Sequence, residues 1–255
     1  MFFMVTGIRY VVLLMAGSLL LGAYGIQATI IHSEPIVVTT LSHDPSAFTQ
    51  GLLYDNGFLY ESTGLYGNSS LRKINAVNGK ILKQVVVPGI FAEGLAKMDG
   101  LLVQLSWKEQ IARTYSANDF MVKKAFSYQG EGWGLTSNGT EYIMSNGSDT
   151  LYFRSKSFAV TKKICARFNG VPVQNLNELE YANGNIYANV WYSNNIVEIS
   201  PQTGAVTRII DCNALVRKAA PTSTEAVLNG IAYNPKTRTF YITGKNWNTI
   251  FVVRW

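Results

Sequence analysis

From Pro35 to the C-terminus, apolar and polar residues alternate in short runs with a period of two. Such alternation puts apolar side chains on one face of an extended strand, whereas a helix would repeat them every ~3.6 residues. The β-branched run Ile36-Val37-Val38-Thr39-Thr40-Leu41 opens the pattern. Further strands are predicted at 58–62, 101–105, 141–145, 185–189 and 239–243, followed by others at 195–199 and 249–253. Between them stand Asn56-Gly57, Asn78-Gly79, Asp99-Gly100, Asn138-Gly139, Asn146-Gly147 and Asn183-Gly184. These dipeptides tolerate positive φ and mark tight turns. No stretch carries the spacing of an amphipathic helix of ordinary length.

The strands belong to a repeat. Phe48-Thr49-Gln50-Gly51-Leu52, Phe91-Ala92-Glu93-Gly94-Leu95, Gly132-Trp133-Gly134-Leu135, Leu176-Asn177-Glu178-Leu179 and Leu228-Asn229-Gly230-Ile231 share one local pattern. Their closing residues are 43, 40, 44 and 52 positions apart. Units of this length with about four short strands are the mark of propeller blades. Five units predict an all-β, five-bladed β-propeller over residues 29–255. The last unit stops after its third strand, so the 36–41 strand is expected to complete it and leave no open edge. The alternative is a β-sandwich with coincidental spacing.

Residues 1–28 read differently. Arg9 is their one charge, Tyr10 to Leu21 is an apolar run, and Ala23, Gly25 and Ala28 follow. The run is short for a spanning helix, which needs roughly 20 residues. A cleaved signal peptide is therefore expected, with an uncleaved anchor as the alternative. Either one predicts export, to a periplasm or a secretory lumen. Cys165 and Cys212 could then pair or stay as buried thiols. Hydrophobic residues make up 47% of the chain and charged ones 15%, enough for a sizeable core. The formal net charge is +6, but the basic residues are scattered, so no nucleic-acid partner is expected. Two histidines, His32 and His43, disfavour both a catalytic zinc site and a Ser-His-Asp triad.

Equivalent positions of a closed repeat form a ring. Gln50, Glu93, Trp133, Asn177 and Asn229 occupy one such position, at the start of each innermost strand. Trp107, Trp191 and Lys245 follow the second strands of their units and should project toward the same mouth. With Phe48 and Phe91 they predict an aromatic-walled pocket holding one acid and one amine, the usual build of a small-ligand site.

Six motifs in order, Ser42–Leu52, Phe91–Leu95, Glu131–Leu135, Leu176–Tyr181, Val227–Tyr233 and Thr243–Trp247, resemble the plant-type glutaminyl cyclases, also found in bacteria. The resemblance runs from about Val37 to Trp255 and implies a five-bladed propeller. It also implies an activity: N-terminal glutamine of a peptide closes to pyroglutamate and releases ammonia. Glu93 matches the family's acid/base glutamate. Phe48, Gln50, Phe91, Trp107, Trp133, Asn177, Trp191 and Lys245 match its pocket. One departure is Asn248, where the family motif has proline. No cofactor or metal is implied, in contrast to the unrelated animal-type enzymes, which use zinc. On chemical grounds Glu93 would shuttle the proton, and Lys245, Gln50 and Asn177 would supply donors to the developing oxyanion. The partners expected are peptides or proteins with N-terminal glutamine, and the protein is expected to be a monomer. Two rival functions fit the same residues: a calcium-dependent, lactonase-like propeller hydrolase holding the ion on Glu93, Asn177 and Asn229, and a non-catalytic binding propeller.

Overall fold

A computed structural model describes residues 30–255; the proposed leader, 1–28, lies outside them. Five sheets, each built on four antiparallel strands, surround an axis. Blade 1 comprises Thr49–Asp55, Phe58–Thr63, Ser70–Asn75 and Ile81–Val86. Blade 2 comprises Ala92–Met98, Leu101–Ser106, Ile111–Ser116 and Val122–Ser127. Leu135–Ser137, Tyr142–Met144, Thr150–Arg154 and Val160–Cys165 form blade 3. Leu176–Ala182, Asn185–Val190, Asn195–Ile199 and Val206–Asp211 form blade 4. Blade 5 is built from Leu228–Asn234, Thr239–Gly244 and Thr249–Arg254, with Ile36–Ser42 as its outer strand. Ile36 pairs with Arg254 and Leu41 with Ile250, so the two ends of the propeller close it together.

Each blade buries both faces, so inner strands are buried on both sides, and alternation of burial is kept in outer strands such as Ile81–Val86. In the strand Leu101–Ser106, Leu102 packs toward blade 1, while Val103 and Leu105 pack toward blade 3. Five apolar clusters result, one at each junction between neighbouring blades. Asn56-Gly57, Asp99-Gly100 and Asn183-Gly184 each close a two-residue hairpin with both φ values positive. In the other three turn dipeptides only the glycine is positive.

Three features were not anticipated. Ile31–Ser33 adds to the outer strand of blade 4 in parallel. A small hairpin, Arg167–Phe168 with Val171–Pro172, links blades 3 and 4. A seven-residue helix, Asn213–Ala219, follows blade 4 and buries Leu215 and Ala219 against the junction with blade 5. The helix and the loop after it account for the longest repeat spacing. Cys165 is exposed and Cys212 buried, and both are free thiols.

Candidate active site

At one mouth of the channel, four of the five inner strands begin with a break in register. It falls between Thr49 and Gly51, Ala92 and Leu95, Leu176 and Leu179, and Leu228 and Ile231. A bulge of this kind turns a side chain out of the alternating pattern. Here it brings Gln50, Glu93 and Asn177 to a cavity of about 300 Å³. In blades 1, 2 and 3 the glycine before the closing Leu lies where neighbouring strands nearly touch. A methyl group on Gly94 would sit 2.3 Å from the Leu135 nitrogen, and one on Gly134 only 1.9 Å from the Asn177 oxygen.

Blade 4 has Glu178 at that position instead. Its buried carboxylate reaches across the channel, accepting the backbone N–H groups of Leu52 at 3.2 Å and Ile231 at 2.8 Å. Burial pushes this carboxyl well above the ordinary range, against the two backbone bonds, which lower it. The glutamate braces three blades beneath the pocket floor.

All nine side chains expected at the site line the one cavity: Phe48, Gln50, Phe91, Glu93, Trp107, Trp133, Asn177, Trp191 and Lys245. The aromatic walls meet edge to face. Ring centroids are 6.1 Å apart for Phe48 and Phe91, 5.6 Å for Phe91 and Trp107, and 5.3 Å for Trp133 and Trp191. Lys245 Nζ stands 4.7 Å from the Phe48 ring centroid. Asn229, the fifth ring member, does not line the cavity. Its Nδ2 donates to Thr49 O at 2.9 Å and to Gln50 Oε1 at 3.1 Å, and Gln50 Nε2 donates to Glu93 Oε1 at 3.0 Å.

Glu93 and Lys245 are each only 4% exposed, which makes charge on either costly. Burial pushes the Glu93 carboxyl well above the usual range; Lys245 pulls it down, and Glu131 and Glu109 push it up again. Burial lowers the Lys245 ammonium, while Glu93 and Glu225 raise it. Asn177 Oδ1 and Trp191 Nε1 are buried without a partner in the protein. Such atoms are rare in native interiors, and both residues line the cavity. Glu225, on the loop after the helix, also lines the pocket and accepts the Tyr192 hydroxyl at 2.8 Å. It occupies no repeat position, so only the extra length of its unit pointed to it. Among the described residues, no three His, Cys, Asp or Glu side chains come together as metal ligands would.

The sequence model of a family described as glutamine cyclotransferase matches residues 11–255. The chain belongs to the glutamine cyclotransferase family. A glutaminyl-peptide cyclotransferase of Arabidopsis thaliana is 38% identical over 228 residues, 87% of this chain and 71% of the relative. The crystal structure of the Myxococcus xanthus glutaminyl cyclase superposes with a TM-score of 0.85 at 38% identity, covering 89% of this chain and 98% of that one. The five-bladed architecture read from the repeat is thus the architecture of a glutamine cyclotransferase. Asn248, the departure from the family motif, lies in the turn between the second and third strands of blade 5. Its carbonyl accepts the His43 N–H at 2.9 Å, a bond that does not depend on its side chain.

Proposed function

We infer that the chain is a glutaminyl-peptide cyclotransferase, converting N-terminal glutamine of peptides or proteins to pyroglutamate with release of ammonia. The observation that carries this is Glu93: a buried carboxyl in an aromatic pocket, beside an amine and two unpaired hydrogen-bonding atoms. The substrate's α-amine has a reference pKa near 8 and attacks only when neutral. Attack on the γ-amide carbon forms the ring bond. Of the two hydrogens on the neutral amine, one stays on the lactam nitrogen. Glu93 takes the other and delivers it to the γ-nitrogen, which leaves as NH₃ once the C–N bond breaks.

The γ-oxygen becomes an oxyanion during attack and needs donors. The Gln50 amide is engaged at both ends, by Asn229 and by Glu93, so its part is to orient Glu93. Lys245 and Asn177 then serve the oxyanion and the substrate's polar groups. Phe48, Phe91, Trp107, Trp133 and Trp191 hold the glutamine side chain folded against its own amine, which supplies proximity. The protein acts as a monomer, its ring of blades being complete within one chain. Residues 1–28 direct export, a proposal supported by the apolar run after Arg9; the mass of the mature protein tests it. Among the described residues no helix is long and apolar enough to cross a membrane.

The test is ammonia release from a Gln-initiated dipeptide, with and without EDTA, beside Glu93→Gln. Activity that survives EDTA and falls by about 10²–10⁴ in the variant supports the mechanism. Loss with EDTA points to a metal on the axis. No activity in folded protein points to a binding propeller.

A further inference from the structure

Glu131 lies outside the strands, in the link from the outer strand of blade 2 to the inner strand of blade 3. One of its oxygens, Oε2, accepts the indole N–H of Trp107 at 2.7 Å and that of Trp133 at 3.0 Å. These two rings come from different blades and form adjoining walls of the pocket. The backbone around them is fixed as well. Gly132 N donates to Trp107 O at 3.0 Å, and Gly94 N to Trp133 O at 2.7 Å. A methyl group on Gly132 would meet the Tyr128 hydroxyl at 2.2 Å, so the link is held in one path.

We propose that Glu131 is a positioning residue for cyclisation, holding Trp107 and Trp133 through one shared oxygen so that the pocket keeps the width of a folded glutamine side chain. The inference rests on the cyclisation assigned above. An indole N–H can only donate, and two of them converging on one point need an acceptor with two lone pairs. A carboxylate oxygen meets that need, and its charge strengthens both bonds. Without it the two indoles lose their common anchor and each ring regains rotational freedom.

The charge of Glu131 has a second effect. Glu93 is surrounded by Lys245 from blade 5, Glu131 from this link, Glu109 from the loop between the second and third strands of blade 2, and the neutral Gln50 amide. The nearby tyrosines stay neutral: the hydrogen bond to Glu109 pushes the ionisation of Tyr66 up, and burial that of Tyr128. After burial, the Glu131 carboxylate is the largest influence keeping the proton on Glu93. Neutralising it lets Glu93 ionise at lower pH.

The experiment compares E131A and E131Q in the full chain. Glutamine keeps an acceptor oxygen and removes the charge; alanine removes both. In E131A, kcat/KM should fall on the order of tenfold to a hundredfold, the effect of losing charge-assisted hydrogen bonds. The indole ¹⁵N–¹H resonances of Trp107 and Trp133 in ¹⁵N-tryptophan-labelled protein should both move. E131Q should recover most of the activity and shift the acid limb of kcat/KM to lower pH. A change of packing alone would not produce that shift together with the rescue. Unmoved indole resonances in E131A, or kcat/KM within about twofold of the parent, would overturn the positioning role. Should E131A fail to fold, E131Q decides it alone: both indole resonances shift, or the role is lost. An acid limb that stays in place or rises in E131Q overturns the electrostatic part. If the parent protein releases no ammonia, the cyclisation assignment falls instead, and the resonances still decide whether Glu131 holds the rings.

Discussion

Gln50 Nε2 lies 3.0 Å from Glu93 Oε1, so the carboxyl proposed to move the proton is held by the amide of the neighbouring blade. Asn229 holds that amide from the other side at 3.1 Å. Gln50→Ala removes the middle of this chain. It leaves Glu93 in place but free to rotate away from the substrate. The expected loss in kcat is on the order of tenfold to a hundredfold, with folding stability changed much less. Steady-state kinetics beside a denaturant titration separate the two effects.

Lys245 and Glu131 act on Glu93 with opposite signs. The ammonium pulls the carboxyl down and the carboxylate pushes it up, burial being the larger push. The parent enzyme should therefore lose kcat/KM on acidification above the ordinary carboxylate range, as Glu93 takes up a proton before substrate binds. Lys245→Met should move that limb to still higher pH. It should also cost about 10²–10³ in kcat, since an oxyanion donor is lost. A limb that moved down would refute the assignment.

At the joint between the last and first blades, His43 is buried between two acceptors. Nδ1 is 2.7 Å from Trp247 O and Nε2 is 2.8 Å from Glu61 Oε1. A ring that donates at both nitrogens is an imidazolium. Burial opposes the charge, but Glu61 and the Trp247 carbonyl outweigh it and raise the pKa. The stabilisation from His43 is thus present below its unfolded pKa of about 6.5 and is lost as pH rises through the folded value. Glu61 is lowered by His43 and Arg72 despite complete burial. Its contribution is present above the unfolded pKa and fails as pH falls through the folded one. Glu61→Ala leaves His43 buried without its counter-charge, and Arg72 with Asp44 alone, and should cost about 3–5 kcal/mol. Urea unfolding at several pH values measures both.

Glu178→Gln tests the cross-channel brace. The amide offers one oxygen where the carboxylate offered two, so one of the Leu52 and Ile231 N–H groups loses its partner. The expected cost is about 1–3 kcal/mol, seen as a lower thermal midpoint, with KM for a Gln-initiated dipeptide near that of the parent.

The fold was legible because turn dipeptides such as Asn56-Gly57 and Asn183-Gly184 cut the chain into short strands, and because one local motif recurs at five repeat positions. The site was legible for a related reason: a repeat position that holds Gln50, Glu93 or Asn177 in place of an apolar residue must face something polar. Glu131 and Glu178 stood inside the quoted motifs, yet their partners depend on neighbouring blades that no local pattern specifies. Glu225 and the strand Ile31–Ser33 fall outside the repeat altogether. Asn229 shares the repeat position, yet it turns to Gln50, a choice made by the packing of blade 1 against blade 5.

The pairing of Ile36 with Arg254 governs when this enzyme can first become active. Along the chain, the outer strand of blade 5 precedes the other propeller strands and its partner follows them. The pocket straddles the joint they close: Phe48 and Gln50 lie on one side and Lys245 on the other, fastened by Asn246 N to Ala47 O at 2.7 Å. A nascent or C-terminally clipped chain can fold its middle blades and still lack a working site. Turnover therefore reports a closed ring, with Thr249–Arg254 paired to Ile36–Ser42.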